Sequence, residues 1–157
     1  MKVSIVGSGY VGTTVAACLA ELGHEVTAID IDADIVAAIN DGEAPIHEPG
    51  LDELVADHGG ERLTATTEYG VVPETDLTML ALPTPSNDDG SIDLQYMEAG
   101  AASVGEALAE ADRDGPHLVV TKSTVVPRTT EDRLAPALAD AGLSRGTDFL
   151  VASNPEF

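Results

Sequence analysis

The sequence predicts an α/β fold, a doubly wound parallel sheet of about six strands with helices on both faces. Short apolar runs alternate with longer, helix-like segments along the whole chain. Strands separated by helices pair in parallel through right-handed crossovers. The chain shows no internal repeat, low-complexity stretch or interdomain linker, so one domain is expected over residues 1–157.

Three strands and three helices are expected in the first part of the chain. Lys2–Val6 is a short apolar run that ends in glycines, and Val11–Leu22 is a small-residue helix that closes at Gly23. Glu25–Ile29 is the second strand, and Arg62–Ala65 is a weaker third strand. The remaining helices are predicted at Ala33–Asn40 and at about Leu51–Asp57.

The second part repeats the alternation. Its predicted strands are Asp76–Leu82, which carries the strongest signal for a buried strand, then His117–Lys122 and Phe149–Ala152. Its predicted helices are Asp93–Ala111 and Thr129–Ala141.

A glycine motif, Gly7-Ser8-Gly9-Tyr10-Val11-Gly12, follows the first strand and opens the first helix. In that context the G-x-G-x-x-G spacing predicts a dinucleotide-binding Rossmann fold. Gly7 permits the tight turn, Gly9 lets the backbone approach a pyrophosphate, and Gly12 lets the helix pack closely on the strand. The alternative is a glycine turn that serves helix packing alone.

The acidic residue at the end of the second strand, Asp30, favours NAD over NADP. It lies at about the distance from the glycines at which a carboxylate grips the adenosine ribose. Asp32 and Asp34 add to the repulsion of a 2′-phosphate, and no arginine is near in sequence. A surface aspartate without a ligand is the alternative.

The charge is strongly negative, with 28 Asp and Glu against 7 Lys and Arg and a formal net charge of -21. Such a surface repels nucleic acid and anionic lipid, so neither is expected as a partner. Acidic residues scattered over an intact hydrophobic pattern suggest a protein adapted to molar salt, against the alternative of an ordinary acidic protein. The single cysteine, Cys18, and the absence of a signal-peptide pattern favour the cytoplasm, with Cys18 expected to be buried in the first helix.

Five segments, taken together, resemble the N-terminal domain of the UDP-glucose/GDP-mannose dehydrogenase family. They are GSGYVG at 7–12, PIHEPGLDEL at 45–54, LPTPSNDDGSIDL at 82–94, KSTVVPRTTE at 122–131 and NPEF at 154–157. The similarity runs through essentially the whole chain in the family's order. It implies an enzyme that oxidises the C6 hydroxyl of a nucleotide sugar to a carboxylate in two hydride transfers, consuming two NAD.

The resemblance also implies roles for individual residues. Tyr10 and Val11 are expected over the dinucleotide, and Ser123 is expected in the cofactor site. Thr124 is expected near the nicotinamide, where it helps to hold a catalytic water, and Glu156 is expected in acid–base work or in positioning that water. The cofactor cleft is further expected to be lined by Pro83, Thr84 and Pro85.

Two departures from the family pattern stand out. Ile35 occupies a position at which family members often carry a basic residue that meets the adenosine half of the cofactor. The family's catalytic cysteine and the central helix through which its members dimerise belong to segments that follow this domain, and both are absent from this chain. Cys18 is not expected to substitute for that nucleophile.

No metal site is expected, because His47, Glu48 and His58 lack a second ligand pair at a metal-binding spacing. UDP-glucose is the favoured substrate, with UDP-N-acetylmannosamine and GDP-mannose as alternatives. An NAD-binding module without turnover is the competing interpretation of the chain. An unrelated hydroxyacid dehydrogenase is disfavoured, because it does not explain Thr84-Pro85 together with Lys122-Ser123-Thr124.

Overall fold

The computed structural model describes residues 1–155 of the chain. In this range, parallel strands form one sheet and confirm the predicted doubly wound α/β fold. The strands are β1 (Lys2–Val6), β2 (Glu25–Ile29), β3 (Leu63–Thr66), β4 (Leu77–Leu80), β5 (His117–Thr121) and β6 (Phe149–Ser153). Their order across the sheet is β3-β2-β1-β4-β5-β6, so the winding direction reverses beside β1.

Helices connect the successive strands. They are α1 (Tyr10–Glu21), α2 (Ala33–Asn40), α3 (Leu51–His58), α4 (Gln95–Ala109) and α5 (Ala135–Ala139). A 3₁₀ helix spans Tyr69–Glu74 before β4, and a π-helical turn at Thr130–Leu134 leads into α5. No helix among the described residues is both long and apolar enough to cross a membrane.

Each face of the sheet carries its own apolar core because successive strand residues point to opposite sides. In β1, Val3 and Ile5 pack with residues of α1 and α3 on one face. Val6, the next residue along, packs on the other face with residues of α4, such as Met97 and Val104. The predicted helices on both faces are therefore confirmed.

The predicted bounds of β1, β2 and α2 match the structure to the residue. The predicted helix Thr129–Ala141 is wrong in detail, since its first half is the π-helical turn. Pro136 has no N–H to donate to the carbonyl four residues earlier, so a regular α-helix cannot run through this segment unbroken. The sequence interpretation also missed the 3₁₀ helix, which is too short to show a helical period and contains Pro73.

The expectation that Cys18 is buried is wrong. Cys18 lies on the exposed side of α1, whereas Ala16, Ala17 and Ala20 are fully buried against the sheet. Small and apolar residues occur on every side of this helix, so its hydrophobic pattern does not indicate which side meets the core.

A row of hydrogen-bonded, buried polar side chains crosses the sheet at β1, β4 and β5. The hydroxyl of Ser4 lies 2.7 Å from that of Thr78, and Thr78 Oγ1 lies 2.7 Å from Nε2 of His117. All three residues are fully buried. Burial, together with the nearby positive charge of Arg113, lowers the pKa of His117 to about 4, so this histidine is neutral near pH 7.

Candidate functional site

A cleft of about 640 Å³ opens at the carboxyl edge of the sheet, where ligands of doubly wound folds bind. Its volume is in the range of small-molecule and cofactor sites. It begins at the loop after β1, passes the end of β2 and continues to α4. The lining residues are Val6, Gly7, Ser8, Gly9, Ile29, Asp30, Ile31, Ile35, Tyr69, Ala81, Leu82, Pro83, Tyr96, Ala99, Gly100 and Ser103.

The three motif glycines meet different surroundings. Gly7 has a φ of 97°, a backbone conformation that favours glycine, and its N–H donates to the Ile29 carbonyl at 2.8 Å. A Cβ at Gly12 would overlap the carbonyl oxygen of Gly7, so glycine is required there for α1 to pack. A Cβ at Gly9, in contrast, would meet no atom within 4 Å. The space beside Gly9 is therefore open to a ligand.

The N-terminus of α1 gives the glycine loop a positive electrostatic potential. Gly9 precedes the helix without a side-chain cap, and the first turn contains no acidic residue. The first N–H groups of a helix have no partner within the helix, and together with the helix dipole they attract an anion. An anionic group beside Gly9 would thus be held by backbone donors.

Asp30 is held in place by two backbone N–H groups. Ser8 donates to Oδ2 at 2.6 Å, and Asp32 donates to Oδ1 at 3.0 Å. Each carboxylate oxygen can accept more than one hydrogen bond, so the side chain keeps capacity for ligand hydroxyls. The arrangement is what recognition of a ribose at this strand end requires.

The wall beyond Asp30 combines aliphatic and phenolic side chains. Ile31 is 90% exposed beside the half-buried Ile35. Tyr69 comes from the 3₁₀ helix, and both burial and the nearby negative charge of Asp30 raise the pKa of its phenol. Ser103 of α4 hydrogen-bonds to this phenol, which lowers the pKa by a smaller amount.

A second cleft of about 330 Å³ lies farther along the same edge, at the ends of β5 and β6. Ser123, Thr124 and Pro155 are among its lining residues. The Thr84 hydroxyl donates to the carbonyl of Thr124 at 3.4 Å, and the Ser123 hydroxyl donates to that of Leu82 at 2.7 Å. These contacts join the loops that follow β4 and β5.

The structure brings together part of the predicted site. Gly7, Gly9, Asp30 and Pro83 line the first cleft, while Ser123 and Thr124 line the second. Tyr10 is 63% exposed at the first position of α1, followed by Val11, and neither lines either cleft. Thr84 and Pro85 belong to the loop after β4, and they are among the lining residues of neither cleft. Glu156 lies outside the described residues.

Sequence reasoning missed three polar residues of the first cleft, Tyr69, Tyr96 and Ser103. Tyr96 lies in the first turn of α4, and Ser103 follows it on the same helix after about two turns. That spacing was a usable signal, because residues seven apart share one face of a helix. Tyr69 gave no such signal, since its short helix was itself not predicted.

Within residues 1–155, no group of three or more His, Cys, Asp and Glu side chains is arranged to hold a metal ion. The histidines noted in the sequence lie instead beside single carboxylates. His47 Nδ1 is 3.4 Å from Asp52 Oδ2, and His58 Nε2 is 2.7 Å from Glu21 Oε2.

The fold, the glycine loop and the carboxylate at the end of β2 define a dinucleotide-binding domain of the Rossmann class. Residues 1–157 match the model of the UDP-glucose/GDP-mannose dehydrogenase family, NAD binding domain, and the chain belongs to this family. Its cofactor is accordingly NAD.

Similar proteins agree with this assignment. A UDP-glucose 6-dehydrogenase, AglM of Haloferax volcanii, is 62% identical over 158 residues, covering 100% of this chain and 36% of the relative. The structure of a ternary complex of GDP-mannose dehydrogenase from Pseudomonas aeruginosa has a TM-score of 0.92 at 39% identity, over 100% of this chain and 36% of that one. A UDP-glucose dehydrogenase from Pyrobaculum islandicum has a TM-score of 0.89 at 44% identity, over 99% and 36%. The chain thus spans about a third of the length of these proteins.

Proposed function

We propose that this chain is the NAD-binding part of a UDP-glucose 6-dehydrogenase, which oxidises the C6 hydroxyl of UDP-glucose to a carboxylate. The observation that carries the proposal is the cleft that joins the glycine loop to Asp30. The whole-chain match to the family supports it.

The cleft residues fit the pyrophosphate and the adenosine of NAD, which differ in chemistry. The pyrophosphate is proposed to lie beside Gly9, where a Cβ would meet nothing and the first N–H groups of α1 are available. Asp30 accepts hydrogen bonds from the adenosine ribose and repels the 2′-phosphate of NADP. Ile31 offers an exposed apolar face to the adenine ring.

The reaction itself is assigned to the second cleft. When bound, NAD would supply the hydride acceptor for each of the two oxidations at C6, so that two NAD are consumed, and a water molecule would supply the second oxygen of the carboxylate between them. Thr124 is exposed at the end of β5, and the contact between its carbonyl and Thr84 ties its loop to the one after β4. Its hydroxyl is proposed to orient this water. Glu156 is proposed, on the family resemblance, to move the proton or to position the same water.

The choice of UDP-glucose is supported by the identities. The chain is 62% identical to the Haloferax volcanii UDP-glucose 6-dehydrogenase, against 39% for the GDP-mannose dehydrogenase of Pseudomonas aeruginosa. GDP-mannose and UDP-N-acetylmannosamine remain the alternative substrates. A cytoplasmic location, expected from the sequence, is part of the same proposal. A homodimer is proposed for the full-length protein alone, as the family resemblance implies.

Alone, this chain is proposed to bind NAD without oxidising the sugar. The family's reaction uses a catalytic cysteine. Cys18 is exposed on α1 and lines neither cleft, so it is not placed to act as that cysteine. Turnover is therefore assigned to a protein that combines this domain with the other two thirds of the family's length.

The test is turnover by two proteins in molar KCl. One is this chain, and the other joins it to the part of the Haloferax volcanii relative that follows the matching segment. UDP-glucose, GDP-mannose and UDP-N-acetylmannosamine are supplied separately, and NADH absorbance is followed. We expect the joined protein to form two NADH per UDP-glucose and this chain to form none. A joined protein that is folded and binds NAD but prefers GDP-mannose would refute the substrate assignment.

A further inference from the structure

The first cleft has an unusual charge balance for a site that takes an anionic dinucleotide. As far as the described residues go, Asp30 is the single charged side chain in its lining, and no lysine or arginine is present. Pyrophosphates are commonly met by cations in proteins, since charge-assisted hydrogen bonds are about twice as strong as neutral ones. This cleft offers backbone N–H groups and a helix dipole instead.

Four of the seven lysines and arginines make contacts outside the first cleft. Lys2 faces Glu25 at 3.9 Å at the amino edge of the sheet, opposite to the cleft. Arg128 pairs with Asp132 at 2.8 Å, and Arg133 pairs with Glu98. The guanidinium of Arg113 donates to the Pro73 carbonyl.

The position at which a cation would reach the cleft is Ile35. It lies in the first turn of α2, just beyond Asp30, and it lines the cleft together with Ile31. A long basic side chain there would extend toward the adenosine half of the ligand, whereas isoleucine contributes apolar surface only. The contact is therefore insensitive to ionic screening.

The rest of the molecule repels the ligand. The chain has a formal net charge of -21, and NAD is a net anion at neutral pH. Salt shortens the range of this repulsion, from about 10 Å at 0.1 M to about 3 Å at 1 M. A site with cations loses their attraction as salt rises. This cleft loses only the weaker attraction of the helix dipole, while the repulsion from the surrounding carboxylates also weakens.

We propose that Ile35 leaves the first cleft, which takes the adenosine and pyrophosphate, without a cation among its described lining residues, and that the affinity for NAD therefore rises with ionic strength. The inference rests on the proposal that NAD occupies this cleft. Because Ile35 adds no cation, the affinity for NAD is expected to rise with salt and not to fall. The acidic surface is the source of the repulsion that the salt screens.

The experiment compares wild type, Ile35→Lys and Leu22→Lys by calorimetric titration with NAD between about 0.2 and 3 M KCl. Leu22 is 74% exposed just after α1, at the amino edge of the sheet, so its replacement adds the same charge far from the cleft. Far-UV circular dichroism at each salt concentration defines the range in which every variant is folded, and only that range is compared.

In wild type and in Leu22→Lys we expect the Kd for NAD to fall about two- to five-fold from low to high salt. Ile35→Lys is expected to bind about three- to ten-fold more tightly than wild type at low salt and to lose that advantage at high salt. Weaker NAD binding by wild type at higher salt would overturn the inference. Equal behaviour of the two lysine variants would overturn the role of Ile35.

Adenosine serves as an uncharged probe that needs no variant. Its affinity, followed by NMR on the wild-type chain, reports the effect of salt on the contacts that involve no charge on the ligand. The inference expects a smaller gain for adenosine than for NAD, and an equal gain would contradict it. Absence of NAD binding at every salt concentration, with the chain folded, would instead refute the proposed cofactor site.

Discussion

The backbone N–H of Ser8 donates a hydrogen bond of 2.6 Å to Oδ2 of Asp30. This contact joins the glycine loop after β1 to the end of β2, two strands that pair in register from Lys2 with Glu25 to Val6 with Ile29. The carboxylate that is proposed to read the ribose is therefore positioned by the loop that is proposed to hold the pyrophosphate. A change in one part of the site is expected to be felt in the other.

Gly9, which precedes α1, and Gly12, which lies in its first turn, are predicted to respond differently to alanine. Gly9→Ala adds a methyl group into open space at an ordinary φ of -75°, so the free energy of unfolding is expected to change by less than about 1 kcal/mol. NAD binding is expected to weaken at least about ten-fold, because the methyl group occupies the ligand's space. Thermal unfolding and calorimetric titration measure the two effects.

Gly12→Ala is the matched variant, since its methyl group would overlap the Gly7 carbonyl. We expect a loss of about 1–3 kcal/mol in stability because α1 must move away from the loop. If Gly12→Ala proved as stable as wild type, or if Gly9→Ala bound NAD normally, the roles assigned to these glycines would be wrong.

The hydroxyl of Ser8 is predicted to be dispensable for stability. Ser8 is buried, and its Oγ has no hydrogen-bond partner among residues 1–155. Replacing an unsatisfied buried hydroxyl removes a desolvation cost, so Ser8→Ala is expected to be neutral or stabilising in urea unfolding. The backbone N–H that contacts Asp30 is retained in this variant.

The control for Ser8 is Thr13→Val. Thr13 Oγ1 donates to the Ser8 carbonyl at 2.8 Å in a buried position. Removing this donor leaves a buried acceptor without that partner, so we expect a loss of about 1–3 kcal/mol in unfolding free energy. A larger loss for Ser8→Ala than for Thr13→Val would show that the Ser8 hydroxyl has a partner after all.

Stability is predicted to fall in mild acid because of His117. Its pKa is about 4 in the folded chain, below the ordinary value of 6.5, so the unfolded chain binds the proton more readily. The contribution of neutral His117 is present in full above pH 6.5 and is lost as the pH falls toward 4. At about 1.4 kcal/mol per pH unit between pKa values of 6.5 and about 4, the loss reaches between about 3 and 4 kcal/mol.

The measurement is urea unfolding of wild type and His117→Gln between pH 7.5 and pH 4. Carboxylates titrate in both proteins, so the difference between their pH profiles isolates the histidine. We expect the wild-type profile to be the steeper one below pH 6.5. Parallel profiles would mean that His117 is protonated in the folded chain without penalty.

Salt is predicted to stabilise the folded chain. Mutual repulsion among the carboxylates that give a net charge of -21 is screened as the Debye length falls. The midpoint of thermal unfolding should rise steadily from low to molar KCl. A midpoint unchanged over that range would contradict the adaptation to salt that the composition suggests.

The fold was predictable because its signals are local. β1 and β2 are apolar runs bounded by glycine or charged residues, and α2 begins at the capping residue Asp32, whose side chain accepts from the Asp34 N–H. The 3₁₀ helix at Tyr69–Glu74 and the π-helical turn at Thr130–Leu134 have no comparable periodic signal. Their conformations depend on prolines and on packing against α4.

The site was predictable where it rests on backbone geometry and less so where it rests on packing. Gly7, Gly12 and Asp30 are constrained by turns and strand ends that a sequence pattern displays. Tyr69 reaches the cleft from an element that the pattern did not show. The exposure of Cys18 depends on how α1 is rotated against the sheet, which its nearly uniform apolar sequence leaves open.

The central claim, an NAD site built from the glycine loop and Asp30, is tested most directly by calorimetric titration of this chain with NAD and then NADP in molar KCl. Asp30→Ala is the variant, and circular dichroism verifies that it is folded. We predict that wild type binds NAD and not NADP, and that the variant binds NAD about ten- to a hundred-fold more weakly. Equal binding of both dinucleotides by wild type, or unchanged NAD affinity in the folded variant, would contradict the account.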